Sequence, residues 1–260
     1  MTASFKTLTF AFVLIAMGFL TSCEPGSICT VADGPQESRT LDLPRFAGID
    51  LKVPADVYLS QDTAFSVVIT GPSDVLDKIE HDVIEGIWEA DLRGCVINSP
   101  DITIEVTMPD LSYLRIGGSG DVMGRTPFVV PSAELIISGS GSIDLIMTAD
   151  DVSTTINGSG DIYLDLVAKG LKSLINGSGN LDYTGEVEQH SSQIRGSGDI
   201  MAYDLMTSVT EVAVSGSGNS EVQVGDQLDV QINGSGDVYY KGQPQVEVRI
   251  NGSGKVVNMN

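Results

Sequence analysis

Gly-Ser-Gly followed by a small polar or charged residue recurs eight times between residues 118 and 255 of this chain, starting at Gly118, Gly139, Gly158, Gly177, Gly196, Gly216, Gly234 and Gly252. Successive starts lie 21, 19, 19, 19, 20, 18 and 18 residues apart. A period near 20 residues predicts a stack of short units, each burying its apolar side only against its neighbours.

Alignment on the first glycine shows what the unit carries. Two positions before it stand Ile116, Ile137, Ile156, Ile175, Ile194, Val214, Ile232 and Ile250, all β-branched and apolar. Four positions after it stand Val122, Ile143, Ile162, Leu181, Ile200, Ser220, Val238 and Val256, apolar in all but one. β-branched residues on either side of a repeated turn predict strands whose inward side chains stack in columns. The expected fold is all-β: a single-stranded, right-handed parallel β-helix over residues 116–260, with rungs of about 18–21 residues. The glycines are the structural turns, expected to adopt backbone angles that residues with a Cβ resist and to let corners stack closely. Asn157, Asn176, Asn233 and Asn251 precede the glycine in four units, and asparagine tolerates left-handed turns and can hydrogen-bond along a stack.

Before the repeat, residues 41–115 read as a β-rich segment that caps the first unit. Alternating runs occur at Gly48–Leu51, Val57–Leu59, Phe65–Ile69 and Ile102–Thr107, and strand character returns over Gly86–Leu92. One short helix is expected near Asp74–Glu80, started by Pro72-Ser73, with Val75, Leu76 and Ile79 on one face. Residues 23–40 mix proline, glycine, serine and threonine and read as a tether. Residues 1–22 read as a secretory signal, with Lys6 ahead of the apolar run Leu8–Leu20. Leu20-Thr21-Ser22-Cys23 matches a bacterial lipobox, which makes Cys23 the acylated first residue of the mature chain; ordinary cleavage near Ser22 is the alternative. The expected location is the cell envelope, at the outer membrane, with the lipid as membrane anchor. In an oxidising compartment the remaining cysteines, Cys29 and Cys95, form either a disulfide or two free thiols.

The formal net charge is −21, a surface that repels nucleic acid and anionic headgroups and rules out nucleic-acid binding.

The unit Ile-Asn-Gly-Ser-Gly-Asp, the lipobox, and the segment Phe46-Ala-Gly-Ile-Asp50 with Asp56-Val-Tyr-Leu-Ser60 together resemble the head GIN domain family of lipid-anchored envelope proteins in Gram-negative bacteria. The resemblance spans roughly residues 40–255. It implies a β-solenoid, an envelope location and an adhesin-like role, and brings no catalytic residues. It also implies a Cys29–Cys95 bridge, since similar sequences carry a cysteine near the mature N-terminus together with one matching Cys95.

The residues bear on several chemistries. No unit completes G-x-G-x-x-G, because the sixth position is Met123, Asp144, Tyr163, Asp182, Met201, Glu221, Tyr239 or Val257. Gly254-Lys255 lacks the hydroxyl residue and upstream glycine of a P-loop. Asp121, Asp161, Asp199 and Asp237, with Asn180 and Asn219 between them, form a corner column that calcium could bridge, against the plainer reading of solvated turn residues. Only His81 and His190 are present, neither with an obvious Ser or Cys partner, and no nucleophile elbow occurs. No cofactor is expected. The tyrosines 163, 183, 203, 239 and 240 stand at mixed parity and form no single stripe.

The sequence therefore predicts a non-enzymatic, adhesin-like binding module taking a protein or polysaccharide ligand. A periplasmic structural or signalling partner and a carbohydrate-active enzyme are the alternatives. The last rung is expected to leave open strand edges that invite pairing; either Lys255 acts as a gatekeeper against it, or this end forms a homo-oligomer contact.

Overall fold

The computed structural model describes residues 29–98 and 101–260; the signal-like segment and Cys23 lie outside them. Over these residues the chain is an all-β parallel solenoid with one helical turn, Ser73–Leu76. Both apolar columns form as the repeat predicts. Ile116, Ile137, Ile156, Ile175, Ile194, Val214, Ile232 and Ile250 stand in parallel register from rung to rung. The first seven are fully buried, as are Val122, Ile143, Ile162, Leu181, Ile200 and Val238 of the second column. Each buried Ile or Val contributes about 1.5–3 kcal/mol.

A rung runs from one Gly-Ser-Gly corner through a long strand to the next. Ser142–Ile156 is typical: Ile143, Leu145 and Met147 point inward, Asp150 and Asp151 break the alternation at a second corner, and Val152, Thr154 and Ile156 return inward. The solenoid is thus two sheets back to back, joined by glycine corners on one side.

The corner glycines are small for a reason other than the expected one. None is left-handed; among the described residues, positive φ at glycine is confined to Gly86, Gly94, Gly185 and Gly242. Room is the constraint. A Cβ on Gly177 would stand 2.9 Å from the carbonyl carbon of Gly158 and closer still to its oxygen. Those carbonyls are already in use: Gly139, Gly158 and Gly177 accept from Ser159, Ser178 and Ser197 N–H, each at 3.0 Å. The asparagine ladder is one pair long, with Asn176 Nδ2 donating to Asn157 Oδ1 at 2.8 Å.

Stacking begins before the repeat does. Strands Gly48–Leu51 and Asp56–Gln61 pair in parallel with Tyr113–Ile116 and Asp121–Gly124, placing Leu51 against Ile116 and Val57 against Val122. Lys52-Val-Pro-Ala55 turns this corner without glycine, yet Leu51 and Val57 keep the six-residue separation of Ile116 and Val122. Ile87–Ala90 and Thr103–Met108 form a further rung on its other side. The chain therefore enters in the second rung, steps outward to build the first, and comes back past it to start the repeat.

Antiparallel strands close this end. Ser66–Pro72 pairs antiparallel with Thr103–Met108 and then with Gln36–Leu41, so residues 36–41, read from composition as tether, form an edge strand. On the other sheet, Val83–Ile84 folds back on Ile87–Trp88 through Glu85-Gly86, both at positive φ as a primed two-residue turn requires. Val75, Leu76 and Ile79 of the helical segment are buried beneath, with Trp88, whose Nε1–H donates to the Glu80 carbonyl at 3.1 Å. Cys29 and Cys95 are joined by a disulfide that holds the short strand Thr30–Val31 beside Val96–Ile97.

Candidate functional site

The aspartates of the corner column are engaged with their own fold. Asp121 Oδ1 accepts from Ser142 N–H at 2.8 Å, and Asp161 Oδ1 from Asn180 N–H at 2.8 Å. Asn180 Oδ1 then accepts from Asp199 N–H, Asp199 Oδ1 from Asn219 N–H, Asn219 Oδ1 from Asp237 N–H, and Asp237 Oδ1 from Lys255 N–H. Each side chain caps the strand start one rung above, a local use to which Asp and Asn are suited. Because Ser142, Asn180 and Asn219 alternate with the acids, neighbouring carboxylates lie two rungs apart, about 10 Å. Among the described residues no group of three or more His, Cys, Asp or Glu could hold a metal ion.

Inside the middle rungs the apolar filling gives way to a polar cluster. Leu135, Thr154, Ser173, Ser192 and Val212 share one inward column. The small hydroxyl residues leave room for Tyr183 from the facing sheet, fully buried, whose hydroxyl lies 2.5 Å from Thr154 Oγ1 and 3.0 Å from Ser173 Oγ. Ser173 Oγ also meets His190 Nε2 at 3.0 Å, while His190 Nδ1 and Ser192 Oγ have no protein partner. His190 therefore does have a serine partner, which sequence spacing did not reveal. Burial pushes the His190 imidazole down to about 4 and raises the Tyr183 phenol. A serine beside a neutral imidazole resembles a nucleophile and its base, but Ser173 is 3% exposed and His190 2%, and no carboxylate orients Nδ1. The pair serves the core. Beside it runs a groove of about 680 Å³ of mixed lining, with Asp151, Lys172, Ser191 and Glu211 toward solvent and Leu171 and the edge of His190 at its floor.

The outward face beyond the glycine corner is the more unusual surface. Met123, Asp144, Tyr163, Asp182, Met201, Glu221 and Tyr239 lie in one column of successive rungs, large apolar or aromatic residues alternating with acids. Met123 is 50% exposed, Tyr163 43% and Met201 37%. A second column reads Ile146, Asp165, Thr184, Asp204, and a third Val129, Thr148, Val167, Glu186, Met206. Ile146, Val129, Val167 and Met206 are also exposed. Partial burial, and then Asp204, raise the Asp182 carboxyl; partial burial, and then Asp199, raise Glu221. Among the tyrosines, 163 and 239 share this face, 183 is core, and Lys241 Nζ sits 4.2 Å over the Tyr203 ring. The alternation is written in the sequence as the sixth position of each unit. It becomes a surface only when the rungs are stacked.

The chain is, as a class, a parallel β-solenoid; among the described residues its one hydrogen-bonded His–Ser pair is buried, and its sheet face displays aligned apolar and acidic side chains. Residues 45–244 match the family described as "Putative auto-transporter adhesin, head GIN domain", and the chain belongs to that family. No curated protein matches it. Among solved structures it is similar to a "putative lipid binding protein" from Parabacteroides distasonis ATCC 8503, at 25% identity, covering 88% of this chain and 99% of that one with a TM-score of 0.84. It is also similar to a "putative adhesin" from Parabacteroides merdae ATCC 43184, at 18% identity, 89% and 99% coverage and a TM-score of 0.85. A second "putative adhesin" from P. distasonis aligns at 22% identity, 88% and 99% coverage, with a TM-score of 0.80. The two structures with lower identity speak for the fold alone.

Proposed function

We propose that this protein is a non-enzymatic binding protein of the bacterial envelope, anchored through acylated Cys23, that holds its ligand along the Met123–Tyr239 face. The observation that carries the reading is the alternation of exposed Met and Tyr with carboxylates along the outward side of a parallel ladder. Exposed apolar side chains gathered on one face mark interaction sites. The intervening acids select a basic partner and oppose anionic lipid headgroups. The ligand that fits is a protein segment bearing both basic and apolar side chains. The adhesin description of the family agrees with this reading, and the burial of Ser173 and His190 argues against catalysis.

The test is antibody labelling and protease shaving of intact cells, with lysed cells as control. Labelling and release from intact cells are expected. Protection until lysis would move the protein to the periplasm and replace adhesion by a structural or signalling partnership there.

A further inference from the structure

The two ends of the solenoid are finished differently. At the N-terminal end the edge strand Gln36–Leu41 is polar and charged and is tied to the helical segment: Ser73 N–H donates to the carbonyl of Pro35, just before the strand, at 2.9 Å, and Arg39 Nη1 to Asp77 Oδ1 at 2.6 Å. Polar, charged edges of this kind resist pairing. At the other end the strand Gln245–Ile250 pairs only with Gln227–Ile232, and its second edge is open among the described residues. Val246, Val248 and Ile250 occupy the inward columns directly above buried Leu228, Val230 and Ile232, yet they are 39%, 42% and 45% exposed.

The backbone of this edge has a defined polarity. Asn251 N–H donates to the Ile232 carbonyl at 2.7 Å, so the odd-numbered residues bond downward. Ladder alternation then turns the N–H and C=O of Val246, Val248 and Ile250 toward the open side. An identical strand laid antiparallel about Val248 satisfies all of these groups. In that register Val248 faces Val248 of the second copy, Val246 faces Ile250, and Glu247 faces Arg249. Glu247 and Arg249 flank Val248 on the outward face and pair with each other within the single chain. Across the two-fold axis each would find the opposite charge, at the non-hydrogen-bonded positions where cross-strand side chains lie closest.

We propose that this open rung is an isologous interface, through which two copies of the chain join end to end by antiparallel pairing of Gln245–Ile250 centred on Val248. The argument is self-complementarity in three independent respects: free backbone groups, unburied apolar side chains, and a charge pair whose order inverts on rotation. A two-fold interface requires that residue i meet j while j meets i, and this sequence meets that condition. The surface is separate from the Met123–Tyr239 face, so dimerisation leaves that face free on both copies.

The test uses the full chain carrying Gln245→Cys and Asn251→Cys, outward positions that face each other across the axis in this register, in intact cells treated with a short bismaleimide. A covalent dimer is expected. Adding Glu247→Arg or Arg249→Glu alone opposes like charges across the axis, and at least a tenfold loss of cross-linked dimer is expected from each. Combining the two reversals, or co-expressing the two single variants, restores complementarity and with it the dimer. Absence of the dimer, a yield indifferent to the reversals, or cross-links only to a different protein would overturn the proposal. Far-UV circular dichroism of each purified variant separates loss of pairing from loss of fold.

Discussion

Gly177→Ala is the most informative single substitution in the solenoid. The position is not left-handed, so alanine carries no intrinsic backbone penalty there, and the whole effect must come from stacking. The added Cβ falls 2.9 Å from the Gly158 carbonyl carbon and closer to its oxygen, whereas comfortable contacts begin at 3.4 Å. That oxygen is the acceptor for Ser178 N–H at 3.0 Å, so the clash pushes away the partner of the neighbouring residue. Moving it aside breaks this bond and strains the next, Ser197 N–H to the Gly177 carbonyl at 3.0 Å. Overpacking of this kind costs about 1–3 kcal/mol and each lost hydrogen bond about 1. The expected destabilisation is about 2–5 kcal/mol, read by urea unfolding followed by circular dichroism. Ser178→Ala, which removes an exposed hydroxyl from the same corner, should stay within about 0.5 kcal/mol of the parent. A Gly177→Ala variant as stable as Ser178→Ala would refute the account of why the repeat needs glycine.

Three further outcomes follow from the core and the cap. The His190 pKa of about 4 lies below its unfolded value near 6.5, so between those limits the unfolded chain binds more protons. Stability should be full above pH 6.5 and fall by roughly 3 kcal/mol as pH drops toward 4; His190→Leu, which matches Leu171 and Leu228 in the same column, should flatten that part of the profile. Tyr183→Phe leaves Thr154 and Ser173 each short of a partner and should cost about 1–2 kcal/mol without altering the circular dichroism spectrum. Reducing the Cys29–Cys95 bridge, which spans 66 residues of sequence, should cost up to about 4 kcal/mol by the loop-entropy model. Trp88 is buried in that cap, so its emission should shift to the red when the cap opens.

The repeat was legible because one β-branched residue stands at a fixed distance on each side of every glycine corner, and the structure places these residues in unbroken columns. The second rung is hidden because Lys52-Val-Pro-Ala55 replaces Gly-Ser-Gly; its signal is the six-residue interval from Leu51 to Val57, which only a register shows to be the same corner. The first rung carries no such signal, because the matching residues Ala90 and Ile104 are separated by a longer excursion. The Ser173–His190 contact joins residues two places short of a full rung apart, so neither points to the other in sequence. The corner aspartates were read as calcium ligands or idle turn residues, whereas capping the next strand needs knowledge of which rung lies above. The Met–Asp–Tyr–Asp–Met–Glu–Tyr series was visible as a failed phosphate motif. Its meaning depends on stacking, since residues about 19 apart become neighbours about 4.8 Å apart only in the solenoid.

The face bearing that series is where the functional account stands or falls. A photo-crosslinking amino acid placed at Tyr163 or Met201 of the full chain, with Lys172 on the groove side as control, would be activated in intact cells. The account predicts a specific adduct with a basic protein from both face positions and none from Lys172. Adducts that form equally from Lys172, or that fail to form at Tyr163 and Met201 while the protein is exposed and folded, would contradict it.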